Sequence, residues 1–229
     1  MNYWVNCHAN FGAAGIHSGK VSVRVNEAFS CSGTGLDWQS AADNAAGYAC
    51  LVLNSLGYRS DLDEKIDLDT RGKDIMPFYD IFYFIGHCTW IAPDHAKHAP
   101  ALNLNYSTNE IVRDRVSHAT PAGVQRKYRF VFLNCCDSAM LEYQVPDFQE
   151  AFQATCLLGW RCERPPVDDK LHGVTPEHTL AFSDDFWWYV AGGWTVKQAA
   201  YTAHLDNMDL FFIDVSYPVV QGSDITLAK

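Results

Sequence analysis

The chain is short of lysine and arginine. Across 229 residues it carries 17 basic against 27 acidic side chains, a net charge of −10 at pH 7. Nucleic-acid phosphates are held by dense basic patches, so no nucleic-acid partner is expected. No apolar stretch approaches the ~18 residues of a membrane-spanning helix, so no membrane partner is expected either. The opening residues Met1-Asn2-Tyr3-Trp4-Val5-Asn6-Cys7-His8 have neither a basic start nor an apolar run of signal-peptide length. Cysteine is plentiful, with eight residues, but the spacing is irregular. Without an export signal reduced thiols are the default, and a cytoplasmic location is expected. The sequon Asn105-Tyr106-Ser107 then carries no meaning. Repeats, linkers and low-complexity segments are also missing, which leaves one domain over residues 1–229. With 48% apolar and 19% charged residues, the composition is that of a globular chain.

Strand and helix patterns alternate along this chain. Lys20-Val21-Ser22-Val23-Arg24-Val25-Asn26 alternates like a strand, and a Gly/Ser loop follows at 31–35. Trp38, Ala41, Ala42, Ala45, Ala46, Ala49, Val52, Leu53 and Leu56 recur with helical spacing, and Gly57 supplies the stop. Residues 61–74 and 92–103 are expected to be loops. Ser107-Thr108-Asn109-Glu110 has the form of a capping box and predicts a short helix through about Val116. Asp147-Phe148-Gln149-Glu150 opens a helix, and residues 155–160 read as a buried strand. Pro176-Glu177 starts a helix bearing Phe182, Phe186, Trp187 and Val190, closed by Gly192-Gly193. Another helix starts at Thr195-x-x-Gln198, and a last strand is expected from Asp209 to Tyr217. This alternation predicts an α/β domain with a mainly parallel sheet covered on both faces.

Two apolar strands end on reactive residues. One reads Tyr79-Asp80-Ile81-Phe82-Tyr83-Phe84-Ile85-Gly86-His87. The other reads Tyr128-Arg129-Phe130-Val131-Phe132-Leu133-Asn134-Cys135-Cys136-Asp137-Ser138. Unbroken apolar runs of this kind suit strands buried on both faces of a parallel sheet. Ligands of such sheets bind beyond the carboxyl ends of the strands. Histidine and cysteine there would share one crevice, where a thiol nucleophile and its base are needed. Imidazole titrates near neutrality and can take the thiol proton or protonate a leaving amine. A cysteine in an apolar strand is ordinarily a small core filler, and a core histidine ordinarily bonds a backbone carbonyl. The pairing is what raises both above those readings.

His87 lies 49 positions upstream of Cys136. The two blocks resemble the histidine and cysteine blocks of the caspase-like cysteine peptidases, the clan of caspases, metacaspases, legumains, gingipains, clostripain and separase. Looser likenesses at Leu56-Gly57-Tyr58 and over Phe186–Ala199 extend the resemblance to roughly residues 20–215. It implies a three-layer α-β-α caspase-like fold with a mainly parallel sheet of about six strands. It also implies a cysteine endopeptidase acting through an acyl-enzyme on a protein or peptide, with no cofactor. Cys136 would be the nucleophile, in register with the family cysteine, with Cys135 filling the small position before it. His87 would be the general base and acid. The backbone N–H groups of Cys88 and Cys136 would form the oxyanion hole. The family has glycine where Cys88 stands. Asn134, two residues before the nucleophile, and Trp160, Arg161 and Glu163 (with Arg164 beyond) would line the substrate pocket.

Two other functions fit the same residues. One is a weakly catalytic caspase-like binding or scaffold module, favoured by Cys88. The other is a thiol amidase or acyl transferase using the same dyad. A zinc site built from Cys88, His95 and His98 matches no common zinc spacing, so no metal is expected. Asp67-x-Asp69-x-Arg71-Gly72 fails as a calcium loop because Arg71 stands where an oxygen ligand is required.

Overall fold

The computed structural model of the protein describes residues 13–18, 38–63, 80–85, 87–91, 99–105, 108–110, 128–135, 138–139, 148–162, 176–208 and 216–228. In chain order the strands are β1 (Ala13–Ser18), β2 (Arg59–Asp63), β3 (Ile81–Ile85), β4 (His87–Ile91), β5 (Ala99–Asn105), β6 (Thr108–Glu110), β7 (Phe130–Asn134), β8 (Cys156–Cys162) and β9 (Ser216–Gly222). The helices are α1 (Trp38–Ser55), α2 (Phe148–Phe152), α3 (Pro176–Ala191) and α4 (Val196–Asp206). Six strands form an open sheet in the order β2-β1-β3-β7-β8-β9. Its first five strands run parallel, and β9 pairs antiparallel with β8. β4, β5 and β6 form a second, antiparallel sheet of three strands.

The central strands β3 and β7 are buried at every position, as their unbroken apolar sequences require. On one face Tyr83, Phe130, Phe132 and Trp160 join Phe182, Phe186 and Trp187 of α3 in an aromatic core. The rings of Tyr83 and Phe132 stack with centroids 4.8 Å apart, and Trp160 meets Phe182 edge-on at 4.7 Å. Buried alanines of α1 (41, 42, 45, 46 and 49) let that helix close onto the same core. On the opposite face Phe82 stacks on Phe152 of α2, with centroids 5.2 Å apart, and Tyr128 closes on Phe152 edge-on. Thus α1 and α3 pack on one face and the short α2 on the other.

Helix ends follow the local chemistry. Gly57 adopts φ 82° and Gly193 φ 86°, the left-handed geometry that lets α1 and α3 stop. At the α4 start the Thr195 hydroxyl accepts from the Gln198 N–H, and the Gln198 side chain accepts from the Thr195 N–H.

Several sequence expectations are corrected. Residues 61–63 belong to strand β2, not to a loop; a polar stretch can serve there because β2 lies at the edge of the sheet. The stretch expected as a loop over 92–103 contains most of β5, and Thr108–Glu110 forms β6 instead of a helical first turn. Both take their form from cross-strand pairing, which local composition does not display. The last described strand is Ser216–Gly222, which shares residues 216–217 with the expected strand and runs on to 222. The expected strand at 20–26, the loop at 31–35, and residues 64–74, 92–98, 111–116 and 209–215 lie outside the described residues.

Candidate active site

The strand order places a topological switch between β1 and β3. From β1 the chain crosses to β2 on one side, then returns past β1 to β3 and continues toward β7 on the other. Connections diverge at such a point and leave a crevice at the carboxyl ends, the usual ligand site of open α/β sheets. Those ends are level here. Ser18 of β1 stands opposite Ile85 of β3, and Ile85 stands opposite Asn134 of β7.

His87 lies two residues past Ile85 in sequence and Cys136 two residues past Asn134. His87 does not prolong β3, contrary to the single strand expected through 87. It opens β4 in the second sheet, opposite Asn103, with Cys88 opposite Leu102. Consecutive residues of a strand send their N–H groups to opposite sides, and among the described residues β4 pairs only with β5. One of the His87 and Cys88 N–H groups therefore points away from β5. Cys136, Gly86, Asp137, Glu163 and Arg164 lie outside the described residues, as do His95, His98 and 67–72.

Asn134 is buried at 4% exposure, in a position continuous with Phe130 and Phe132 on the α3 face. Its Oδ1 accepts from Trp160 Nε1 at 2.7 Å, and its Nδ2 donates to Ser183 Oγ at 2.8 Å. Ser183 Oγ also lies 2.9 Å from the Tyr83 hydroxyl. Burial holds the Tyr83 phenol well above its ordinary range, so it stays neutral. Both ends of the Asn134 amide are thus used inside the protein. The visible role of Asn134 and Trp160 is to fix the end of β7.

Cys135 is buried, and its carbonyl accepts from Ser138 Oγ at 2.9 Å. The same hydroxyl proton is shared with the Leu133 carbonyl at 2.8 Å. Arg161, half-buried at the far end of β8, holds its guanidinium carbon 5.9 Å from the centre of the Tyr217 ring, within cation–π range. In the sequence Ser138 figures only as part of the cysteine block, and Ser183 and Gly159 have no expected role. The available signals were a serine within the aromatic face Phe182-Ser183-x-x-Phe186-Trp187 and a glycine inside a buried strand.

Among the described residues no group of three or more His, Cys, Asp or Glu side chains is placed to hold a metal ion. No described helix is long and apolar enough to cross a membrane. Sheet and helices together define a mixed α/β protein built on an open, mostly parallel sheet. No protein-family model matches the chain, and comparison with curated proteins finds no match.

Proposed function

We propose that the chain is a caspase-like cysteine endopeptidase with Cys136 as nucleophile and His87 as general base and acid. The observation that carries this reading is the pairing of β3 with β7 as parallel neighbours, Ile85 opposite Asn134. Two sequence segments that resemble the family's histidine and cysteine blocks thereby begin from one edge of one sheet, next to a topological switch. In the proposed reaction the Cys136 thiolate attacks the scissile carbonyl. The N–H groups of Cys88 and Cys136 hold the oxyanion, and His87 protonates the leaving amine. Water, deprotonated by His87, then releases the acyl-enzyme. Substrate is a protein or peptide, with Arg161 and Glu163 beside its binding groove.

A weakly active binding module is the second reading, favoured by Cys88 in the position of the family glycine. Cleavage-site profiling on a denatured proteome, beside the Cys136→Ala variant, separates the two. New peptide termini at a consistent residue, lost in Cys136→Ala, support the peptidase. Identical profiles from both proteins overturn it.

A further inference from the structure

β7 and β8 pair as far as Phe132 opposite Leu158, where their ladder stops although both strands continue. A strand residue directs its N–H and C=O to the same side, so Trp160 loses two partners where the strands part. The segment after Cys136 supplies both. Trp160 N–H donates to Ser138 Oγ at 2.9 Å, and Ala139 N–H donates to the Trp160 carbonyl at 2.9 Å. With the indole N–H on Asn134, one residue of β8 grips the chain on both sides of position 136. Ser138, 3% exposed, ties the segment back to the Leu133 and Cys135 carbonyls. Gly159 makes the approach possible. A Cβ there would lie 2.8 Å from Ser138 Oγ, closer than real Cβ contacts come, and 3.0 Å from the Ala139 Cβ, a tight contact.

We propose that Trp160 and Ser138 are positioning residues for Cys136, with Gly159 allowing their contact. They hold the chain at Asn134 on one side of position 136 and at Ser138 and Ala139 on the other. The proposal rests on the cysteine-peptidase reading and gives Trp160 a role other than touching substrate. Misplacing a reacting group by about 1 Å can cost on the order of 100-fold in rate, so a segment anchored at both ends has a catalytic consequence.

The test is the pH profile of alkylation by iodoacetamide, read at each cysteine by peptide mapping, in wild type, Ser138→Ala and Trp160→Phe. Cys50 on α1, far along the chain and outside this network, is the internal control. The expected result is a roughly tenfold or greater loss of Cys136 reactivity at pH 7 in both variants, with a displaced profile and an unchanged Cys50 rate. Folded variants whose Cys136 profile matches wild type overturn the proposal while leaving the peptidase reading standing. A wild-type Cys136 no faster than Cys50 overturns that reading and the proposal together. Should the variants fail to fold, amide exchange in the wild type decides. Ala139 and Trp160 amides protected like those of β7 support the anchoring, and loop-like exchange refutes it.

Discussion

Ile85 of β3 and Asn134 of β7 face each other on the last rung of a parallel ladder. His87 and Cys136 each follow that rung by two residues in sequence. What lies behind the rung is buried. Asn134 is tied to Trp160 and Ser183, and Cys135 is buried.

The cysteines should therefore react unequally. Burial first, then the charge of Asp224, pushes the Cys156 thiol up to about 12. Cys156 should thus hold almost no thiolate at neutral pH and resist iodoacetamide until the protein unfolds. Cys135 should resist as well, because it is buried. Cys136 should label first, and Cys136→Ala should remove both this labelling and peptide turnover. Peptide mapping after a brief pulse of reagent, with and without denaturant, checks the order. Rapid native labelling of Cys156 would contradict it.

The polar network should show energetic coupling. Asn134→Ala removes partners from Trp160 Nε1 and Ser183 Oγ in a buried setting, which should cost about 2 kcal/mol. Trp160→Phe should cost a similar amount or more. If the indole–amide bond contributes as described, the double variant should lose about 0.5–3 kcal/mol less than the sum of the single losses. Urea unfolding of the four proteins provides the measurement. Strict additivity would mean that the bond carries no net stability.

Much of this architecture was legible because certain residues report on their surroundings directly. The alanine stripe of α1, the capping box of α4 and the apolar runs of β3 and β7 each encode an element through its own periodicity or cap. Other elements owe their form to partners distant in sequence. β1, Ala-Ala-Gly-Ile-His-Ser, is made mostly of small residues with no alternation, and it is held between β2 and β3. β5 and β6 stand in stretches whose His, Pro, Asn and Thr content suggests loops or a helix cap. At the site, the sequence marked His87 and Cys136 by residue type. It could not show the contact between Ser138 and Gly159, because that depends on how closely two chain segments approach.

One substitution at two glycines should have opposite effects. Gly47 lies within α1, and a Cβ added there meets nothing within 4 Å. Gly47→Ala should raise stability by about 0.5–1 kcal/mol, since glycine is a poor helix former. Gly159→Ala instead drives a methyl into Ser138 and should cost about 1–3 kcal/mol. Thermal unfolding of the two variants checks both signs. A neutral Gly159→Ala would show that the 138–139 segment yields without cost.

Stability should also depend on pH through Asp184. Asp184 of α3 has its carboxyl pushed up to about 6 from 3.8, first by burial and then by the neighbouring Asp185 carboxylate. Burial first, and then the same two aspartates, raise the Tyr48 phenol on α1. For an acid with a raised folded pKa, the folded state binds the proton more tightly than the unfolded chain. This contribution to stability is complete below about pH 3.8 and is lost as pH rises through about 6. Above that window the protein holds a carboxylate in an unfavourable place. Asp184→Asn should then be more stable than wild type at pH 7.5 and nearly equal to it at pH 4. The carboxyl is only half-buried, so solvent screening reduces the raw shift to about 1 kcal/mol, or about 2–4 °C in Tm. Thermal scans of both proteins from pH 4 to pH 8 make the comparison. A Tm difference that does not change with pH would show that Asp184 titrates alike in the folded and unfolded chains.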